Sequence, residues 1–192
     1  MCSDIASMIC ALTLLTACGT TPLDVVYQAQ GDAAAGGATA DAGPCSVVTD
    51  GRYVLRSRAN GLCLGQGAPT TVFGTLGFSL DFAADCRLPA RSWQLVSAGA
   101  PNVFSIQNEL SGFVLDVKMA AIRDGTPVIT YSENGLDNQR FEVRARDAFA
   151  SELRPQHRAD SCVSASLDSA QIDACVATDA AQAWLLQRSD CL

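Results

Sequence analysis

Few residues in this chain could do chemistry. It has nine cysteines and a single histidine, His157 in "PQHRAD". A metal centre would have to be drawn from these, yet no C-x-x-C spacing occurs and one histidine completes no ordinary zinc set. The sequence also lacks G-x-S-x-G, H-E-x-x-H and any Gly-rich phosphate loop. His157 reads as a polar loop residue near a strand end. No enzyme activity, metal or cofactor is expected. One polar phrase does return. Gln139 stands two residues before Phe141 in "DNQRFEV", and Gln182 two before Trp184 in "AAQAWLL". A worn copy, "PARSWQL", ends in Trp93. Side chains two apart on a strand share a face, so ring and amide point together. The ring can fill a core while the amide satisfies backbone groups beside it.

The elements that place these phrases begin near Cys45. From there to residue 192 the chain is a series of short β-type runs separated by Gly, Pro, Asn and Asp, with no long helical period. Twelve runs group in fours. The first group is "RYVLRS", "LCLG", "FSLDFA" and "SWQLV". The second is "VFSIQ", "FVLDV", "PVITY" and "RFEV". The third is "SELRP", "CVSA", "QIDACV" and "AWLLQ". Each group closes on the Gln-x-aromatic phrase or its copy. One group is too small to bury a core, so three must share one.

The first 44 residues differ in kind. Residues 5–17, "IASMICALTLLTA", form an apolar run too short to span a bilayer but suited to the h-region of an export signal. The run ends in "LTAC", which resembles the lipobox of bacterial lipoproteins. That resemblance implies a signal peptide over 1–17 and an acylated Cys18 at the mature N-terminus. It places the protein in a bacterial cell envelope, at the outer membrane or cell surface, held on the membrane through its lipid alone. Residues 18–44, rich in Ala, Gly, Asp and Thr, read as a flexible tether. The net charge is −7, with 20 acidic against 13 basic residues and no basic cluster. Nucleic acid is thereby excluded as a partner. With Cys2 and Cys10 in the signal and Cys18 the lipid site, six cysteines remain. An even number in an exported domain implies disulfides, whose pairing counting alone leaves open.

Three four-stranded repeats with Q-x-W endings resemble the ricin-type β-trefoil lectins over about residues 45–192. The resemblance implies an all-β fold, a six-stranded barrel capped by three hairpins, with one shallow sugar site available per repeat. It pairs Cys63 with Cys86 and Cys162 with Cys175, and leaves Cys45 and Cys191 to join the two ends of the domain. The second repeat has Val114 and Glu133 where a third such pair would lie. Family sugar sites combine an Asp after the second strand, an aromatic ending the third, and the Asn-Gln of the closing phrase. The second repeat supplies Asp116, Tyr131, Asn138 and Gln139, with Ile129 at a further position that is often Gln. The first repeat has Gly65, Ala84 and Ala90-Arg91 instead; the third has Ser164, Asp173 and Ala181 and keeps only Gln182. By this count one site of three survives. A carboxylate accepts bonds from neighbouring hydroxyls, an amide donates and accepts, and an aromatic face covers the C–H patch of a galactose-type ring. Because Gln182 persists where the site is lost, Gln139 is assigned a mainly structural role.

The expectation is thus a monomeric, lipid-anchored, lectin-like binding protein for galactose-type sugars or a polysaccharide containing them. The alternative is a non-catalytic structural or protein-interaction trefoil with decayed sugar sites. A targeting module for a separately encoded enzyme is the third reading.

Overall fold

The chain forms twelve strands and no α-helix among residues 48–189, the residues described by this computed structural model. The signal segment 1–17, the tether 18–44 with Cys18, and the Cys45–Cys191 pair lie outside the described residues. In the first repeat the strands are β1 (Gly51–Ser57), β2 (Cys63–Val72), β3 (Thr75–Ala83) and β4 (Ser92–Ser97). The second holds β5 (Val103–Asn108), β6 (Val114–Val117), β7 (Thr126–Tyr131) and β8 (Phe141–Ala145). The third holds β9 (Ser151–Pro155), β10 (Ser161–Ala165), β11 (Ala170–Ala174) and β12 (Trp184–Arg188).

First and fourth strands of the repeats close on one another. β1 pairs with β4, β4 with β5, β5 with β8, β8 with β9, β9 with β12, and β12 returns to β1. That ring is a six-stranded barrel with no free edge, which removes the usual route to edge-to-edge association. The second and third strands form the hairpins β2–β3, β6–β7 and β10–β11, joined through β3–β7 and β7–β11. This is the β-trefoil that the resemblance implied.

The closing aromatics carry the interior. Trp93, Phe141 and Trp184 are fully buried in one cluster with Leu64 of β2, Leu115 of β6 and Val163 of β10. The Trp93 indole N–H donates to the Leu64 carbonyl at 3.0 Å, and Trp184 to Val163 at 2.9 Å. Phe141 fills the same place with no donor to satisfy. A buried indole needs such a partner, so the same hydrogen bond recurs in the two repeats that use Trp.

Two disulfides lie where the resemblance put them. Cys63–Cys86 and Cys162–Cys175 span Cα–Cα distances of 5.5 and 5.0 Å. Each ties the start of a second strand to the segment after the third. In the second repeat Val114 is buried at the corresponding place, opposite Tyr131.

Candidate functional site

The hairpin registers give an exact correspondence between repeats. Opposite one another stand Cys63 and Ala83, Val114 and Tyr131, Cys162 and Asp173. Two residues on, Gly65 faces Asp81, Asp116 faces Ile129, and Ser164 faces Gln171. The counterpart of Tyr131 in the first repeat is therefore Ala83, not Ala84. Two residues separate Ala83 from Cys86 where one separates Asp173 from Cys175, and counting back from the cysteine slips by that residue.

In the second repeat three of the four expected residues, Asp116, Asn138 and Gln139, meet, while Tyr131 stands opposite Val114 on the neighbouring strand. Each repeat turns through one short 3-10 element before its closing strand: Pro89–Arg91, Asp137–Gln139 and Ala180–Gln182. That turn delivers Asn138 and Gln139 inward beneath β6, where both are buried. Gln139 accepts from the Asn134 N–H at 2.7 Å and donates to the Ser132 carbonyl at 3.0 Å. Gln182 does the same with Val176 N–H and the Ala174 carbonyl, at 2.7 and 2.9 Å. The Gln is thus a brace for the loop before the last strand in both repeats. Gln139 makes one further bond, its amide donating to Asp116 Oδ2 at 2.8 Å.

Asp116 is only 3% exposed. It is not a solvated strand-end acid. Burial pushes its carboxyl up to about 6 from 3.8, against the opposing pull of the Gln139 and Asn138 amides. No cation pairs with it among the described residues. Beside it Asn138 donates to the Val117 carbonyl at 3.3 Å, while Asn138 Oδ1 is buried with no partner. Unpaired buried acceptors are rare enough to need a reason. Tyr131 ends β7 half-buried, its ring against Gly77 of β3; a Cβ there would lie 3.2 Å from Tyr131 Cδ2 and 2.9 Å from the Thr130 carbonyl oxygen. The loop following Asp116 adds backbone strain. Met119 and Ala120 hold φ of 61° and 51°, left-handed values that disfavour side chains. Sequence reasoning missed this pair, because neither residue type announces a turn. A shallow cleft of about 160 Å³, lined in part by Ser97, Ser105, Glu133 and Arg140, opens on Gln139 but includes neither Asp116 nor Tyr131.

The other two repeats resolve the same space differently. In the first, Arg91 stands where Gln139 does and lies over Gly65, whose missing Cβ would overlap the guanidinium. Arg91 ion-pairs with Asp81 and donates to its carbonyl at 3.1 Å. A carboxylate is present after all, but on the opposite strand of the hairpin and 45% exposed. In the third, Asp173 occupies the aromatic place and accepts from the Gly125 N–H at 3.0 Å and from Gln171. His157 lies 3.3 Å from the Ala121 carbonyl in a turn after β9. Glu152 approaches Cys162 and Cys175, whose sulfurs are bonded to each other.

A closed six-stranded barrel under three hairpins, with polar residues gathered beneath one of them, defines a lectin-like β-trefoil. The chain belongs to the ricin-type beta-trefoil lectin domain-like family, whose sequence model matches residues 45–131 and again 89–174, one repeat further on. Among solved structures it is similar to the designed threefold-symmetric protein ThreeFoil, at 23% identity and TM-score 0.63, over 71% of this chain and 98% of that one. It is similar also to the Polyporus squamosus lectin, crystallised with a human-type influenza-binding epitope: 18% identity, TM-score 0.62, 74% of this chain and 50% of the lectin. An exo-β-1,3-galactanase from Clostridium thermocellum matches at 22% identity and TM-score 0.60, over 73% of this chain and 30% of the enzyme. The chain therefore spans half of that lectin and less than a third of that enzyme. No curated protein matches it by sequence.

Proposed function

We propose that this protein is a non-catalytic, lectin-like binding protein of a bacterial envelope, held there by acyl chains on Cys18, that recognises galactose-type sugars through the second repeat. The observation that carries the reading is a buried carboxylate without a counter-charge beside a buried acceptor without a partner. Asp116 and Asn138 Oδ1 destabilise the fold where they stand, and the sister repeats manage with Gly65 and Ser164. A ligand presenting neighbouring hydroxyls satisfies both, with the Tyr131 ring against its C–H face. One shallow site gives roughly 4–5 kcal/mol, in the millimolar to high micromolar range. Many copies on one membrane raise the working affinity through multivalency.

Binding of galactosides by the full chain, measured on a glycan array and by calorimetry, is expected and is expected to vanish in Asp116→Ala. Charge-assisted bonds of about 1.5–3 kcal/mol each make up much of so weak an interaction. Equal binding by a folded Asp116→Ala variant would sink the site. No glycan binding by the wild type would transfer the function to the interaction-scaffold reading, which the near-complete burial of Asp116 favours. The anchor is tested separately, by labelled fatty acid that Cys18→Ser no longer incorporates; wild type recovered unlabelled and wholly soluble refutes it.

A further inference from the structure

The hairpin beside the second-repeat site is unlike the other two. β2 and β3 have 10 and 9 residues, whereas the strands of the other hairpins have 4 to 6. β3 lies antiparallel to β7, with Phe78 opposite Thr130 and Ser79 opposite Ile129. One step further Gly77 meets the Tyr131 ring. β7 ends at Tyr131, while the hairpin of the first repeat runs on for two more residue pairs, Thr71–Leu76 and Val72–Thr75, before it turns.

The tip is made at a cost. Val72 pairs with Thr75, so Phe73 and Gly74 are the two turn residues, with φ of 50° and 79°. Two left-handed residues are what a type I′ turn demands, and Asn-Gly suits it far better than Phe-Gly. Phe73 is nevertheless there, and it is 85% exposed. An aromatic in a strained position that packs on nothing has no account in folding; retained strain of this kind marks functional positions. No residue from 59 to 80 carries a charge, although the chain is 17% charged. Exposed Thr75 and half-buried Thr70, which stands opposite Gly77, offer hydroxyls on the face of the hairpin on which Tyr131 lies.

We propose that the β2–β3 hairpin extends the second-repeat site into a strip for an uncharged oligosaccharide or polysaccharide, running from Tyr131 to Phe73. The inference rests on the second-repeat reading and adds the ligand class: a chain of neutral sugars, not a single terminal one. Only Leu76 and Thr75 separate Gly77 from the Phe73–Gly74 turn, about 10 Å from Gly77 to the tip at the rise of a β-strand. A single hexose does not bridge that distance, and a short oligosaccharide does. Aromatic faces at its two ends cover C–H patches, threonine hydroxyls between them exchange hydrogen bonds, and the absence of charge leaves no basis for selecting anionic polymers.

The test compares methyl β-galactoside with a β-linked galactotetraose on the full chain, as wild type, Phe73→Asn and Asp116→Ala. Asn tolerates the left-handed turn position, so Phe73→Asn melts at the same temperature as the wild type or higher. The wild type is expected to bind the tetraose about tenfold more tightly than the monosaccharide, a gain that Phe73→Asn abolishes while its methyl galactoside affinity stays put. Asp116→Ala loses both ligands. Undiminished tetraose binding by Phe73→Asn overturns the strip and leaves the second-repeat site standing. Failure of the wild type to bind either ligand overturns both.

Discussion

The first and second repeats solve one spatial problem in two ways. Beneath each hairpin a position at the end of a 3-10 turn sends a long polar side chain toward the second strand. In the second repeat that side chain is neutral Gln139, and the acid it meets is Asp116 on β6, buried and unpaired with any cation. In the first it is Arg91, the second-strand residue is Gly65, and the acid has crossed to Asp81 on β3. The first arrangement places a guanidinium where a carboxylate would go, compensates its charge and exposes the acid's outer side. That is a stabilising use of the space. The second leaves an acid in low dielectric with only amides for company, which is a poor way to stabilise a fold and a reasonable way to keep an acceptor ready.

The sharpest way to break this comparison is to force the second solution onto the first repeat. Gly65→Asp alone drives its Cβ into Arg91 and should destabilise by about 3 kcal/mol, as overpacking of a closed site does. Gly65→Asp with Arg91→Gln should recover most of that loss in a denaturant titration. If the single variant is as stable as wild type, the two repeats are not exclusive alternatives.

A smaller effect comes from the acid itself. The Asp116 carboxyl is raised in the fold, to about 6 from 3.8, so the native state holds its proton more tightly than the unfolded chain. Stability from this group is full below about pH 4 and is lost as pH rises through 6. Asp116→Asn keeps an acceptor for Gln139 and removes the titration. At pH 8 it should be more stable than wild type by up to about 3 kcal/mol, and at pH 4 the two melting curves should converge. A gap independent of pH would mean that Asp116 ionises freely in the fold. The smallest effect belongs to Met119. Glycine accepts its φ of 61°, so Met119→Gly should stabilise by about 1 kcal/mol while altering galactoside affinity. A destabilised variant would show that the left-handed turn carries no strain.

Much of this architecture is legible in the sequence because the repeats agree where packing demands it. The grouping of strands follows from runs that recur, and the six-stranded ring and the Cys63–Cys86 and Cys162–Cys175 bridges from the family resemblance that those runs carry. The meeting of Asp116 with Asn138 and Gln139 follows from the positions that the same resemblance marks. What does not recur is harder to read. Arg91 looks like a lost Gln until the ladder shows Gly65 making room for it and Asp81 answering it. Ala84 was one residue off because loop length, unlike strand pairing, is not fixed by side-chain alternation. The long hairpin ends in a turn made by Phe73, a residue type that carries no turn signal. Burial of Asp116 depends on what the Asp137–Gln139 turn lays over it, and no local pattern reports that.

The barrel closes through β1 and β12, and this has a consequence for how the chain is born. Residues at the two ends of the folded sequence, Tyr53 and Arg188 among them, must meet before the ring exists. Pairings of such separation form slowly, because the loop entropy is lost before the contacts reward it. The two bridges are of the opposite character, closing segments of only 23 and 13 residues. Each can lock its own repeat while the rest of the chain is still emerging, and neither waits for the C-terminal strand. Synthesis therefore leaves β1 with an open edge until Trp184–Arg188 arrives, and that interval, more than any state of the finished barrel, is when the protein is exposed to aggregation.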